Sequence, residues 1–451
     1  MTTGATASAF SGLSDANQGP RYFLDPFGCV KNQVDAETLM ALLAQAGWRP
    51  AGDAAEADLL IINSCGFIES AKQESINAVL SYRKAYPHKK ILLAGCLAQR
   101  YGNELSQSLV EADGFLGNAD LAAITRIAAE MLGERPVQAM PVIPGERPLL
   151  SPPGSAYVKI AEGCNNRCSF CAIPLIRGSL KSRAVLDIRE ECRRLLDRGV
   201  RELCLIGQDL GAFGSDRGAG GLRELLEGLE TLPGDFWVRL LYIHPDHFPL
   251  ELLPLFQRDP RFLPYFDIPF QHGSPRILRA MGRRGNPQAY LELIETIRRL
   301  LPGGVIRSTF MTGFPGETDE DFQALLDFQD RARLDWAGVF VYSREEGTAA
   351  YALKGRVPKG LARKRRELFE ERQVPITEER MDRLVGRTLT VLAEERIVGE
   401  DGLYLGRLAC HAPEVDGSAV ILADQALTLG SFASAKVLAR NGFDLEVYVS
   451  G

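Results

Sequence analysis

The densest set of reactive side chains in the 451-residue chain is Glu162-Gly-Cys164-Asn-Asn-Arg-Cys168-Ser-Phe-Cys171. Three thiols spaced C-x3-C-x2-C can curl round one iron–sulfur cube and take three of its irons. No fourth Cys lies nearby, the next being Cys192, so one iron would stay open to an outside ligand. The competing reading is a zinc site or structural thiols, although zinc loops usually offer paired spacings and four ligands. Three more cysteines, Cys29, Cys65 and Cys96, stand 36 and 31 residues apart and form no short metal motif. Each sits just past an expected strand: Cys29 after Tyr22–Gly28, Cys65 after Leu59–Ser64, Cys96 after Ile91–Gly95. The carboxyl ends of parallel strands line one sheet edge, where ligand crevices form. Three cysteines distant in sequence can therefore meet there. Gly28, Gly66 and Gly95 adjoin them, which suits close backbone approach. Three unrelated buried thiols are the alternative. Cys192 and Cys204 fall within a helical and a strand pattern and read as core, and Cys410 lies away from every motif.

The elements that must hold these residues fall into three blocks. Residues 1–20 carry neither a basic start nor an apolar run and read as a flexible tail. From 21 to 140, apolar runs such as Asp58–Asn63 and Lys90–Ala94 alternate with helical patterns at Asn32–Ala46 and Ser70–Tyr86, which argues for an open parallel α/β sheet. Five prolines within residues 141–154 mark an extended linker. From 155 to 383, six strand candidates (Ala156–Ile160, Glu202–Ile206, Phe236–Tyr242, Tyr265–Phe270, Val305–Phe310, Ala337–Tyr342) are separated by helical patterns such as Val185–Asp197, Gln288–Leu301 and Asp319–Ala332. Such alternation suggests a partial (β/α)6 barrel. Its last part, from Lys354, is charged, expected to be helical, and contains Arg363-Lys-Arg-Arg366. From 384 to 451, Thr388–Leu392, Leu403–Arg407, Ala419–Leu422 and Ala435–Ala439 suit a small antiparallel β-barrel.

Apolar residues make up 45% and charged residues 24%, an ordinary globular balance that excludes wholesale disorder. The 58 acids outnumber the 52 bases, giving −6, which speaks against a chain held to nucleic acid by its overall field. No run of eighteen apolar residues occurs, so no membrane span is expected. Nine cysteines in a long chain without a secretion signal point to a cytoplasmic protein with metal or redox chemistry.

C-x3-C-x2-C after the first strand of a partial barrel resembles the radical S-adenosylmethionine superfamily. That resemblance implies that S-adenosylmethionine chelates the open iron and is split to a 5′-deoxyadenosyl radical, which must be sheltered from water. The words Gly28-Cys-Val-Lys-Asn-Gln-Val-Asp35, Asn63-Ser-Cys-Gly-Phe-Ile-Glu-Ser70 and Ala94-Gly-Cys-Leu-Ala-Gln99 narrow it. Together they resemble the methylthiotransferase family, over nearly the whole chain, with a TRAM-like last block. The resemblance implies two [4Fe–4S] clusters, one on Cys164, Cys168 and Cys171 and a sulfur-delivering one on Cys29, Cys65 and Cys96.

Barrel-strand ends are the default catalytic positions. Here they hold Gln208-Asp209, His244, Gln271-His272, Thr309 and Tyr342-Ser343. Gly313-Phe-Pro315-Gly316-Glu resembles the family's GxPGE turn beside the S-adenosylmethionine pocket, where Gln208 would also contribute. Arg183 and Arg307 could meet the methionine carboxylate, or could pair with core acids. His244-Pro-Asp-His247 lacks a matching acidic set for zinc.

The family divides between enzymes acting on transfer RNA adenosine and enzymes acting on a ribosomal protein. The words around Cys29 and Cys65 resemble the ribosomal-protein branch, because the transfer-RNA branch tends to show Gln-Met-Asn after its first Cys. Pro26-Phe27, where the branch more often has Ser-Leu, and Ser64, where it often has Thr, depart from that pattern. From Leu384 to Gly451 five bases face nine acids. An acidic block would repel RNA and attract a basic protein, though solvated acids are also simply what surfaces carry. The Arg363–Arg366 run pulls the other way but is explained by an exposed helix face. The expected activity is insertion of a methylthio group at the β-carbon of an aspartate in protein S-twelve of the small ribosomal subunit. An electron donor such as a flavodoxin or ferredoxin would be a partner. The transfer-RNA reading stays as the alternative, and a plain iron–sulfur redox protein needs neither open irons nor a barrel.

Overall fold

The computed structural model describes residues 19–218 and 220–450, so the expected tail lies outside the described residues apart from Gly19 and Pro20. In the first block the sheet order is Arg49–Pro50, Arg21–Pro26, Leu59–Ser64, Lys90–Gly95, Gly114–Leu116. All pairs are parallel. The central strand Leu59–Ser64 is buried at every position, as a parallel strand covered on both faces must be. Alternate side chains feed opposite helical layers. Ile61 and Leu92 pack with Leu39 and Ile124, whereas Leu60, Ile62 and Leu93 pack with Val79 and Leu97.

Residues 141–154 contain no helix or strand, yet they are not a free tether. Arg147 is buried. It pairs with Glu37 of the first block at 2.8 Å and with Glu191 of the second.

The second block is an open sheet of six parallel strands in chain order: Ser155–Lys159, Glu202–Ile206, Trp237–Leu240, Phe262–Asp267, Val305–Thr312 and Trp336–Val341. The fourth begins three residues earlier than expected. Apolar residues recur throughout Phe262–Phe270, so hydropathy does not mark where the ladder starts. Helices Val185–Asp197, Leu222–Glu230, Pro287–Leu300 and Asp319–Ala332 cover the convex face. The long helix Lys359–Asp382 packs on the edge strand Trp336–Val341.

The last block is a closed five-stranded barrel in the order Thr388–Arg396, Leu403–Leu408, Ala419–Ala423, Asp444–Val449, Phe432–Asn441. Asp444–Val449 is absent from the expected strands. It follows Phe432–Asn441 through a two-residue turn, Gly442-Phe443, and closes the barrel by running parallel to Ala419–Ala423. One seam is therefore parallel and the other four antiparallel. This barrel fills the concave face that six strands leave open. Tyr157, Trp237, Tyr265 and Trp336 bury themselves there with Leu392, Cys410, Ile421 and Val447. The seam is also polar: Glu202 lies between Arg239, at 2.8 Å, and Arg407, and Trp336 Nε1 donates to Cys410 O at 3.0 Å. Among the described residues no helix is long and apolar enough to cross a membrane.

Candidate functional site

Past Ser155–Lys159 the chain pinches. Ala161–Glu162 pairs antiparallel with Lys181–Ser182, and the loop between them carries Cys164, Cys168 and Cys171, all partly exposed. Backbone bonds hold that loop: Cys164 N donates to Gly178 O at 3.1 Å, and Ser169 N to Met281 O at 2.9 Å. Asn166 Nδ2 donates to Asp209 Oδ2 at 2.9 Å. Asp209, on the turn after Glu202–Ile206, also accepts from His244 N at 3.1 Å and lies 2.7 Å from His247 Nδ1. The two histidines thus brace the loop rather than form a metal site of their own. Burial pushes all three thiols up, Cys171 to about 12, so loading metal must expel protons. The charge of Arg283 pulls Cys168 the other way. Arg283 is itself buried, with Nε and Nη1 unpartnered.

The other three cysteines sit at the carboxyl edge of the first sheet. Cys29 caps the helix Val30–Gln45, Cys65 follows Leu59–Ser64, and Cys96 opens the helix Cys96–Ser108 after Lys90–Gly95. The structure brings their loops into contact. A Cβ on Gly28 would stand 3.2 Å from Cys65 Cβ, and one on Gly66 only 2.6 Å from Cys96 O, so close approach demands glycine there. Asn32 ties the edge together: Nδ2 donates to Ser64 O at 2.9 Å, and Cys96 Sγ donates to Oδ1 at 3.1 Å. Burial raises the Cys96 thiol to about 11, against the pull of Arg177. Among the described residues no three Cys, His, Asp or Glu side chains converge on a single ion. A cube asks something different, because each thiolate takes a different iron and the sulfurs surround the cluster. Two sets of three thiols, each on a glycine-bearing or pinned loop, fit such groups.

The two triads are joined by a residue that sequence reasoning missed. The short helix Ile173–Arg177 starts two residues after Cys171, and its Ala172 and Ile176 flank pack on Cys96. Arg177 Nη2 donates to Asn32 Oδ1 at 2.7 Å, Asp35 Oδ2 at 2.9 Å and Cys96 Sγ at 3.3 Å, while Nη1 donates to Glu162 Oε1 at 2.9 Å. Lys159 holds the same two acids, Asp35 at 2.5 Å and Glu162 at 2.7 Å. Burial pushes the Glu162 carboxyl up, but Lys159 and Arg177 outweigh it and hold it at about 2. Lys31 is also buried here, its ammonium 3.0 Å from the centre of the Tyr242 ring. Asn32 and Lys31 lie inside a word already singled out around Cys29. For Arg177 the only signal was its place six residues after Cys171.

Other expected residues fare differently. Arg183 pairs with Glu191 at 2.5 Å, and Arg307 with Asp267 at 3.1 Å and Asp416 at 3.5 Å. Both arginines thus take the acid-paired alternative instead of facing an open pocket. Gln208 is half-buried at the end of Glu202–Ile206. Gly316 N donates to Gly355 O at 2.7 Å, and Gly313 N donates to Glu317 Oε2 at 2.8 Å, so Glu317 staples the turn. Cys192, Cys204 and Cys410 are all buried core. Gly313 and Pro315 line a cleft of about 1060 Å³ between the first block and the barrel edge. Its walls include Leu97 beside Cys96 and the partly exposed Tyr342, and its rim carries Arg356, Lys359 and Arg363. Among the described residues those three cations have no carboxylate within 4.0 Å. The Arg363–Arg366 run is therefore more than an exposed helix face. Arg363 and Arg366 face the cleft, and Arg365 is buried against Glu317 and Asp319, each at 2.6 Å.

Comparison with known proteins adds to this geometry. Residues 21–117 match the Uncharacterized protein family UPF0004, residues 158–328 the Radical SAM superfamily, and residues 385–449 the TRAM domain. The chain is 46% identical over 463 residues to the ribosomal protein uS12 methylthiotransferase RimO of Treponema denticola, covering 94% of this chain and 99% of that one. It is 40% identical over 440 residues to the protein of that name from Pelotomaculum thermopropionicum, covering 95% and 98%. Among solved structures, the radical S-adenosylmethionine methyltransferase TsrM of Kitasatospora setae, with cobalamin and a [4Fe–4S] cluster bound, shares the fold. The TM-score is 0.54 at 15% identity, over 73% of this chain and 76% of that one.

Proposed function

We propose the reaction from one premise: this chain belongs to the RimO family of ribosomal protein uS12 methylthiotransferases. It places a methylthio group on the β-carbon of an aspartate in uS12. The observation that supports this most directly is the joining of two cysteine triads through Arg177, because sulfur insertion needs hydrogen removal and sulfur delivery at one carbon.

Cys164, Cys168 and Cys171 would hold one [4Fe–4S] cluster and Cys29, Cys65 and Cys96 a second. When bound, these groups and S-adenosylmethionine supply the electron, the hydrogen-abstracting radical and the sulfur. The protein's own residues do the rest. Asn166 and Asp209 hold the radical-site loop against the barrel edge. The last block covers the barrel's concave face and keeps water from it. Arg283, buried and part-unpartnered beside Cys168, is better placed to take the methionine carboxylate than Arg183 or Arg307, whose charges are already matched. The reductant would be an acidic one-electron carrier, such as a flavodoxin or ferredoxin, drawn to Arg356, Lys359 and Arg363 on the cleft rim. Basic uS12 would be drawn to the exposed Glu395, Glu400 and Asp401. Glu394, next to them in sequence, is turned inward onto Arg407 at 2.6 Å.

The test is reconstitution without oxygen, with S-adenosylmethionine, a reductant, and either uS12 or transfer RNA, followed by mass spectrometry of both. A methylthio increment on one aspartate of uS12 is expected. An increment on transfer RNA adenosine with none on uS12 would overturn the reading.

A further inference from the structure

We infer that Lys31 seats the side-chain carboxylate of the target aspartate, an inference that rests on the uS12 reading above. The junction between the first block and the barrel is crowded with buried cations, and most of them are held by carboxylates. Lys159 and Arg177 each hold both Asp35 and Glu162. Arg147 holds Glu37 and Glu191, and Arg307 holds Asp267 and Asp416. Lys31 is only 5% exposed, yet among the described residues no carboxylate lies within 4.0 Å of its ammonium. A buried ammonium with no carboxylate in contact is costly unless an anion comes to pair with it.

What Lys31 does have is a ring. Its Nζ stands 3.0 Å from the centre of Tyr242. A π-face steadies a cation but occupies only one side of it, and an ammonium carries three donors. Tyr242 follows the strand Trp237–Leu240 and holds a φ of +71°, uncommon for a residue with a side chain and a mark of strain kept for a purpose. The nearby acids make their ion pairs elsewhere, Asp267 with Arg307 and Glu162 with Lys159 and Arg177.

Position supplies the rest. Lys31 lies in the first turn of the helix capped by Cys29, and its ammonium reaches the carboxyl edge of the barrel at Tyr242. It therefore stands where the sulfur-delivering side meets the hydrogen-abstracting side. In an aspartate the reacting β-carbon is bonded directly to the carboxylate carbon. A cation that grips the carboxylate fixes the β-carbon between the two sides. It also selects an anionic side chain over a neutral base, because an unmatched buried cation penalises any ligand that brings no charge.

The test uses the full-length reconstituted protein. Lys31→Met removes the charge at similar volume, and Lys31→Arg keeps it. The partner is uS12 with its target aspartate or with asparagine there. Affinity is measured anaerobically, together with iron content and the visible spectrum. Lys31→Met should weaken binding of native uS12 by about ten-fold or more, with iron and spectrum unchanged and Lys31→Arg losing less. Asparagine uS12 should bind the unaltered protein weakly, and Lys31→Met should lose nothing further with it, because the two changes remove one interaction. Native affinity in Lys31→Met, or losses that simply multiply, would overturn the inference. So would a fall in iron, which would make Lys31 a support for the cluster. If Lys31→Met does not fold, equal binding of the aspartate and asparagine forms by the unaltered protein refutes the inference by itself. Failure of the unaltered protein to bind or modify either form of uS12 would instead overturn the uS12 reading beneath it.

Discussion

Replacing Arg177 by Met should open the junction between the two cysteine triads. The guanidinium belongs to the second block, and three of its four partners, Asn32, Asp35 and Cys96, belong to the first. Both Arg177 and Asp35 are buried. Removing one member of a buried ion pair costs about 3–5 kcal/mol, because the other charge is stranded. Here Lys159 remains on Asp35 and Glu162, which argues for the lower end, about 3 kcal/mol. That cost falls on the seam and not on either block's own core, so it shifts the closed-to-open ratio by roughly 150-fold at 1.36 kcal/mol per decade. Native-state hydrogen exchange reads it directly: amides in the first turns of Val30–Gln45 should lose protection, while those of Val185–Asp197 should not. Arg177→Lys, which keeps the charge but not the fork, should fall between. Protection at Asn32–Ala36 that stays within about two-fold of the unaltered protein in Arg177→Met would refute the reasoning.

Two sets of three thiolates imply about eight irons per chain after anaerobic reconstitution; replacing either Cys29, Cys65 and Cys96 or Cys164, Cys168 and Cys171 by Ala should halve the iron by chemical assay, and only the second set should abolish S-adenosylmethionine cleavage. Full iron in the first triple variant would show that the sheet-edge cysteines are not ligands. Burial pushes the Glu202 carboxyl up, but Arg407 and Arg239 hold it at about 2, below its ordinary 4.5. A depressed carboxyl contributes its stability above the unfolded value, so that contribution should be complete above about 4.5 and disappear as pH falls toward 2. Melting temperature against pH should therefore fall more steeply in that window for the unaltered protein than for Glu202→Gln, and parallel curves would contradict the assignment. Reversing Arg356, Lys359 and Arg363 to Glu should slow turnover driven by an acidic flavodoxin several-fold and reduce its salt dependence, while turnover driven by dithionite persists. Equal losses with both reductants would remove the cleft from electron delivery.

How much of this was readable from residues alone follows from the range over which each feature is decided. Cys164, Cys168 and Cys171 lie within eight residues, so their spacing already dictates one loop. Strand-then-helix periodicity is equally local, which is why the six strands of the barrel and the helices Val185–Asp197 and Asp319–Ala332 were legible. Cys29, Cys65 and Cys96 were an intermediate case: parallel strands end on one edge, but only packing shows their loops touching at Gly28 and Gly66. Charge pairing was not legible. Arg183 and Arg307 looked available until Glu191 and Asp267 were found beside them. Glu394 counted among the nine acids of the last block, but Arg407 turns it inward. Arg177 meets Cys96 across 81 residues and Asn32 across 145, separations that no period or motif encodes. The same holds for the last block, whose strands alternate as any small barrel's do and give no hint that it covers the open barrel. Sequence by itself determined which residues are the candidates to bind metal and which elements carry them, because backbone periodicity and ligand spacing act over a few residues. Tertiary structure alone decided which charges are matched and which are left over, because a counter-ion is chosen by distance in space.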